Sequence, residues 1–272
     1  MTSPTKAVIL ARGLGTRMRK AATAGLNAEQ AKVAALGLKA MMPLGDTGRP
    51  FVDFVLSALA DAGLTDICLV IGPEHDLVRE YFAAQKLNRV KVSFAVQEEP
   101  LGTANALAAA RSFAGDDRVV MVNSDNYYPP AALRQLVQAK GNAILAFESK
   151  TMIAESNIPA DRVGAFAIVD AEADGTLRGI IEKPSAEVIA SFGDNPYLSM
   201  NCFMFTPAVF DAIDHIGLSP RGEYEIIDAV TYLVAHGTTV DVVKVATGVL
   251  DMSGRGDVAA VEAALAKVAV NL

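Results

Sequence analysis

The sequence predicts an α/β protein: a mostly parallel mixed sheet flanked by helices, with a smaller antiparallel insert. Three observations predict it. Up to about residue 150, short apolar runs alternate with helical stretches of roughly 10–13 residues, the rhythm of βαβ units. Beyond that point two runs flank Asp174-Gly175, the pattern of a hairpin. The chain of 272 residues is 51% hydrophobic and 20% charged, enough apolar material for a sizeable core in a globular protein.

Taken in order, Lys6 to Leu10 is an apolar run and a predicted strand. Asn27 to Leu38 is alanine-rich and helical, with Asn27 as N-cap and Glu29-Gln30 in the first turn. Phe51 to Ala62 carries apolar residues at helical spacing (Phe51, Phe54, Val55, Ala58, Leu59), and Gly63 ends it. Strands are predicted at Asp66–Ile71, Val90–Val96, Arg118–Val122 and Ala143–Phe147, with helices at 74–85, 103–113 and 130–139. In the second half, Val163–Val169 and Leu177–Ile181 form the hairpin, and Tyr197–Phe205 is a further strand. Helices over 207–215 and 224–235, a strand at Val240–Val245 and a closing helix over 257–268 complete the chain. The last strand and helix are expected to return to the main layer. Domain organisation is read as one domain over 1–272, with halves of about 1–150 and 151–250 and a closing helix at 255–270.

Net charge is −7, which argues against a nucleic-acid surface. An acidic protein that binds phosphate needs cations gathered locally. Cys68 and Cys202 sit inside apolar runs, the pattern of buried free thiols in a reducing cytoplasm. Met1 to Lys6 lacks a signal-peptide pattern, and no apolar run approaches the roughly 18 residues of a membrane span. A cytoplasmic protein without membrane contact is expected.

The most informative stretch is Val8-Ile9-Leu10-Ala11-Arg12-Gly13-Leu14-Gly15-Thr16-Arg17: a strand, then a glycine-rich turn ending in arginine. Amides in such a turn form a nest for anions, and a guanidinium adds a fork suited to phosphate. A dinucleotide fingerprint would want glycine at 18, which is Met18, and a P-loop would want Gly-Lys-Ser/Thr, which is absent. A nucleotidyltransferase loop wants a lysine before a proline downstream, and Lys39-Ala40-Met41-Met42-Pro43 supplies it. A glycine turn without ligand is the plain alternative.

Ligands of such sheets bind outside the carboxyl ends of the strands, so the residues after each strand are the candidates. Gln97 has an amide able to pair with a base edge, and Gly102-Thr103 opens a helix with free amides. Asp125, in Asn123-Ser124-Asp125-Asn126, suits Mg²⁺ or a turn. Glu182-Lys183-Pro184 is an acid and a base held before proline, or a solvated pair. Asp251 offers a second carboxylate after a strand, or an ordinary turn aspartate.

With these pieces in this order, the chain resembles the sugar-phosphate nucleotidyltransferase family, the nucleotide-sugar pyrophosphorylases, from Lys6 to about Ala264. The carriers are Leu-Ala-x-Gly-x-Gly-Thr-Arg at 10–17, Lys39 before Pro43, Gln97 with Leu101-Gly102-Thr103-Ala104, Ser-Asp-Asn at 124–126, Gly164, Glu182-Lys183-Pro184, Asn201, Arg221-Gly222-Glu223-Tyr224-Glu225, and Asp251. The resemblance implies a Rossmann-like sheet whose antiparallel insert walls the sugar side. It implies that a nucleoside triphosphate and a sugar 1-phosphate give a nucleotide sugar and pyrophosphate. Leu10, Ala11, Gly13, Gly15, Thr16, Gln97, Gly102 and Thr103 would hold the nucleotide, and Arg17 and Lys39 the phosphates. Asp125 and Asp251 would ligate Mg²⁺. Asn126, Gly164, Glu182, Lys183 and Asn201 would face the sugar phosphate, with Arg17, Lys39, Asp125 and Lys183 as the catalytic set. Glu223 and Asp228 would support the substrate contacts from behind or cap a helix, with capping preferred.

Two features depart from the family pattern. Arg12 stands where a small residue is usual, and 21–38 forms an inserted segment, read as an extra helix. Within the same fold a cytidylyltransferase for a non-sugar phosphate such as phosphocholine is an alternative, and from another class a non-catalytic nucleotide-sugar sensor. The residues leave open the base, the sugar and whether the chain forms a homo-oligomer.

Overall fold

The computed structural model describes residues 5–13, 15–20, 25–164 and 166–272. Among them nine strands share one sheet: β1 (Lys6–Leu10), β2 (Asp66–Ile71), β3 (Lys91–Val96), β4 (Val119–Asn123), β5 (Asn142–Glu148), β6 (Ile168–Ala171), β7 (Leu177–Ile181), β8 (Tyr197–Phe205) and β9 (Val240–Val245). Spatial order is β7-β6-β8-β4-β1-β2-β3, with β5 beside β8 and β9 beside β5. The run β4-β1-β2-β3 is parallel throughout, as is β5 with β9. Strand β8 runs antiparallel to β4, β5 and β6, and β6 with β7 forms the expected hairpin. The mostly parallel mixed sheet and its antiparallel insert are therefore present, and β9 does return to the main layer.

The central strands are buried on both faces, which is why they read as unbroken apolar runs. Ala7 and Ile9 of β1 point to one layer and Val8 and Leu10 to the other; Val120 and Val122 of β4 oppose Val119 and Met121 in the same way. Helices Phe51–Asp61, Pro130–Val137 and Val258–Leu265 cover the first face. Helices Thr103–Ala109, Ala208–His215 and Ile226–Ala235 cover the second. Both cysteines are buried free thiols, and burial pushes the Cys68 thiol up to about 11. No helix among the described residues is long and apolar enough to cross a membrane.

Local differences from the sequence reading have local causes. The strand expected over Val163–Val169 starts at Ile168, because Pro159 opens a helical turn at Ala160–Val163 and Gly164 closes it. The helix expected over 103–113 divides at Ala110, whose amide donates to Leu107 O in a tightened turn. Helices Ser149–Glu155 and Ala186–Ser191 are additional; each is too short to show a periodic stripe.

In the inserted segment, residues 21–24 lie outside the described residues. The remainder forms helix Ala28–Leu36, with the anticipated cap at Asn27. Asn27 Oδ1 accepts from Gln30 N at 2.8 Å, and Gln30 Oε1 accepts from Asn27 N at 3.2 Å, closing a capping box. Gln30 Nε2 donates onward to Pro43 O at 3.0 Å, tying the helix to the segment after Lys39. Replacing Asn27 with alanine is expected to cost about 1 kcal/mol, the usual value of such a cap, and to lower Tm by roughly 2–4 °C in a thermal melt.

Candidate active site

Parallel register decides what meets at the site. Leu10 aligns with Val70 and Asn123, and Ile71 aligns with Val96, so β1, β2, β3 and β4 all end on one edge. Backbone bonds continue past the strand ends: Ala11 N to Val70 O (2.8 Å), Ser124 N to Leu10 O (3.1 Å) and Gln97 N to Ile71 O (2.9 Å). The glycine loop, the Asp125 turn and Gln97 are thereby gathered around a cavity of about 470 Å³, within the usual size range of small-molecule sites. Its walls include Leu10, Ala11, Gly13, Gly15, Thr16, Arg17, Lys39, Gln97, Gly102, Thr103 and Asp125. These are all the residues expected on the nucleotide side; Leu14 of the loop lies outside the described residues.

Two glycines of this cavity are irreplaceable for geometric reasons. Gly15 has φ +57°, and a Cβ there would lie 2.5 Å from Gly37 O. Gly37 is the C-cap of the inserted helix, and Arg19 Nη2 also donates to Leu36 O at 2.8 Å. The insert thus buttresses the glycine loop. Gly102 has φ +101°, and a Cβ would lie 2.5 Å from Tyr224 O.

Lys39 Nζ donates to Asp125 Oδ2 at 2.8 Å at the cavity wall, joining the lysine and the carboxylate singled out separately. Arg17 stands exposed on helix Thr16–Lys20 and lines the same cavity. Arg12 turns its guanidinium into the protein: Nη1 donates to Gln97 O, and Nη2 pairs with Glu74 Oε2 at 3.3 Å.

Asp251 is 4% exposed and sits beside Asp125 through backbone pairing. Leu250–Asp251 forms a two-residue ladder with Asn126–Tyr127, and Met252 N donates to Asp125 O at 2.8 Å. Its Oδ1 accepts from Asn126 Nδ2 (3.1 Å) and Ser253 Oγ (2.8 Å), and its Oδ2 from Arg162 Nη2. Arg162 Nη1 reaches Asp257 Oδ1 at 3.1 Å. Burial, and then the Asp125 charge, raise the Asp251 pKa against the lowering by Ser253 and Arg162. Asn126, expected against the sugar phosphate, is instead 4% exposed with its amide directed to Asp251. Asn157 holds the Asp251 backbone, its Nδ2 donating to Asp251 O and its Oδ1 accepting from Asp251 N, each at 2.8 Å; no motif pointed to Asn157, Arg162 or Ser253. Arg162 stands two residues before Gly164, which was noticed, but a lone arginine on a helical turn gives no signal by itself.

Glu182 and Lys183 line a second cavity of about 700 Å³, together with Arg221, Glu225, Asp228, Tyr232 and His236. Arg221 pairs with Glu225 and stands 3.9 Å from Glu182. Burial, and then the Glu225 charge, raise the Glu182 pKa. Burial also opposes ionisation of Glu225, but hydrogen bonds from Arg221 and Ser219 outweigh it and lower its pKa. The two cavities meet at one segment: Glu223 faces the first, while Arg221 and Glu225 face the second. Glu223 and Asp228 do not cap helix Ile226–Ala235 as expected; Thr103 Oγ1 takes Ile226 N at 2.9 Å, while Asp228 faces the second cavity. Gly164 and Asn201 line neither cavity. Lys183 (φ +45°) and Asn201 (φ +55°) are the non-glycine residues of positive φ among those described. Such conformations cost of order 1–3 kcal/mol and cluster at functional sites.

A model described as nucleotidyl transferase matches residues 6–248. The chain is 28% identical to the low-salt glycan biosynthesis nucleotidyltransferase Agl11 of Haloferax volcanii and 27% identical to a glucose-1-phosphate thymidylyltransferase of Streptomyces griseus, covering 87% and 86% of itself and 59% of each relative. It is 26% identical to the UTP–glucose-1-phosphate uridylyltransferase AglF of Haloferax volcanii, over 88% of both chains. A UDP-glucose pyrophosphorylase solved with UDP-glucose shares the fold, with TM-score 0.74 at 16% identity over 97% of this chain and 99% of the other.

Both Asp251 oxygens accept hydrogen bonds, Oδ1 from Asn126 and Ser253 and Oδ2 from Arg162, so an amide nitrogen at this place would face donors. Asp251→Asn is therefore expected to lower Tm at pH 7 in a thermal melt, as the loss of one partner from a buried ion pair does.

Proposed function

Since the chain belongs to the nucleotidyl transferase family, we propose that it transfers a nucleotidyl group from a nucleoside triphosphate to a sugar 1-phosphate, releasing pyrophosphate. The observation that carries this reading is the single cavity where Arg17, the loop amides, the Lys39–Asp125 pair and Gln97 share one sheet edge. In the reaction a sugar-phosphate oxygen attacks the α-phosphorus, and the bond to the β-phosphate oxygen breaks. The nucleophile is already anionic at neutral pH, so no general base is needed. The obstacle is repulsion between two polyanions, which positioned cations and backbone amides offset.

On this reading Gln97, with the backbone of Ala11 to Gly13 and Gly102, holds the base and ribose. Arg17 and Lys39 hold the phosphates that leave. Glu182 and Lys183 make the second cavity the sugar-phosphate side, and Arg221–Glu225 divides it from the nucleotide side. Asn126 becomes a positioning residue for Asp251, not a substrate contact. A cytoplasmic setting is in keeping with two buried, separate thiols.

The residues fit Mg²⁺. Asp125 and Asp251 are hard oxygen donors on two segments joined by the short ladder, Asp125 on the cavity wall and Asp251 buried, and each is now met by a cation of the chain. Mg²⁺ takes one or two carboxylates and completes its shell with substrate phosphates and water. When bound, it would neutralise phosphate charge and polarise the P–O bond. Arg162 pairs with Asp251 and with Asp257, so it would compete with a cation that Asp251 held.

Two outcomes test this proposal. In a pyrophosphate-release assay over several triphosphates and sugar 1-phosphates, Lys39→Ala and Asp125→Asn are each expected to lower kcat about 10²–10³-fold, the loss typical of one preorganised charge-stabilising group. Lys183→Ala is expected instead to raise KM for the sugar phosphate most. Binding of nucleotide with no pyrophosphate from any pair would make the protein a nucleotide-sugar sensor and end the proposal. Arg162→Gln should tighten binding of Mn²⁺, a spectroscopic stand-in for Mg²⁺, to the free protein by roughly tenfold, as expected for removing a competing cation from the ligand oxygen; unchanged affinity would place the ion elsewhere.

A further inference from the structure

We propose that Asn105 determines which bases the first cavity accepts, by holding the Gln97 amide with only its carbonyl oxygen presented to the base. The inference rests on the nucleotidyl-transfer reading and deepens it.

Gln97 is 5% exposed, follows β3 and lines the cavity. Its side-chain nitrogen donates to Gly102 O at 3.1 Å and to Asn105 Oδ1 at 2.8 Å. The assignment of nitrogen and oxygen follows from chemistry. A backbone carbonyl only accepts, so the Gln97 atom beside Gly102 O must be Nε2. Both Nε2 hydrogens are then engaged, and Asn105 must present its oxygen to take the second. Oε1 accepts no hydrogen bond among the described residues.

The surroundings hold this orientation from every side. Gln97 N is bonded to Ile71 O, and Gln97 O accepts from Arg12, itself held by Glu74. Gly102 O also accepts Ala106 N at 3.0 Å, and Gly102 is wedged against Tyr224. Asn105 lies in the first turn of helix Thr103–Ala109, whose start is pinned by Ala104 N to Tyr224 O at 2.9 Å. Arg12 thus gains a role: it fixes the backbone of the base-reading residue.

An acceptor so fixed selects bases by their ring nitrogen. Uracil and thymine carry N3–H and guanine carries N1–H, each next to a carbonyl, and each can donate to Oε1. Cytosine N3 and adenine N1 are themselves acceptors, so in the same pose their lone pairs would face the Oε1 lone pair, and only a shifted pose would bring the neighbouring exocyclic amine to it. Sites built on a fixed hydrogen bond reject a partner lacking it more strongly than apolar pockets reject a change of size.

The test compares bases of equal size. Affinities of UTP against CTP, and of GTP against ATP, are measured by calorimetry on the wild-type protein, with inorganic tripolyphosphate as a probe of the phosphate end. UTP is expected to bind about 10–100-fold tighter than CTP, and GTP to exceed ATP in the same sense. Asn105→Ala should shrink the UTP-to-CTP ratio to a few-fold without changing tripolyphosphate binding. Asn105→Asp, which keeps an oxygen acceptor, should preserve it. CTP binding as tightly as UTP to the wild type, or an unaltered ratio in Asn105→Ala, would overturn the assignment. The wild-type comparison decides even if the alanine variant fails to fold. Failure of the parent reading looks different: selective UTP binding with no pyrophosphate from any sugar phosphate would remove the transfer reaction and leave the Asn105 assignment standing.

Discussion

The parallel placement of β1 between β2 and β4 is the constraint on which the site depends. Strand ends aligned at Leu10, Val70 and Asn123 put the residues that follow them on the same edge, whatever those residues are. The same sheet buries both faces of β1 and β4, so register is held by apolar contacts on two sides and cannot slip by one residue without inverting both. Position at the site is therefore set by hydrophobic packing, and chemistry by the short polar segments that emerge. Gly15 and Gly102 lie at the junctions, where backbone passes backbone too closely for a side chain.

Charge organises the next level. The two candidate metal carboxylates are each met by a cation from a distant part of the chain, Asp125 by Lys39 and Asp251 by Arg162, while Glu225 is met by Arg221 four residues before it. Ion pairs of this kind contribute little net stability once desolvation is counted. Their value here is that an anionic or cationic ligand can replace one partner while the other stays in place. Lys183 holds a left-handed backbone that its residue type rarely adopts, whereas asparagine at 201 takes such a backbone more readily.

How much of this was legible before folding depended on the kind of signal. Continuous apolar runs such as Lys6–Leu10 announced buried parallel strands, and Asn27 with Gln30 announced a helix start, because both signals are local. The glycine loop, Gln97 and Asp125 were legible because each follows a strand, and Lys39 because it stands just before Pro43. The roles of Asn126, Glu223 and Arg162 were not, because they depend on which segments become neighbours. Asn126 looked like a ligand residue until pairing with Leu250–Asp251 turned its amide onto a carboxylate. Arg162 reaches Asp251 across 89 residues, a contact no sequence window contains.

The inserted segment shows how an addition can be absorbed without disturbing such a site. Its helix ends at Gly37 directly against Gly15, and two residues later the chain delivers Lys39 to Asp125. The left-handed turn at Gly37 lets the helix stop abruptly, and the missing Cβ at Gly15 lets the loop approach it. A longer or shorter helix would move Lys39 relative to the glycine loop, so the cap and the lysine are coupled. The segment is in this sense part of the cavity wall: it braces the loop that carries Arg17 and sets where Lys39 arrives.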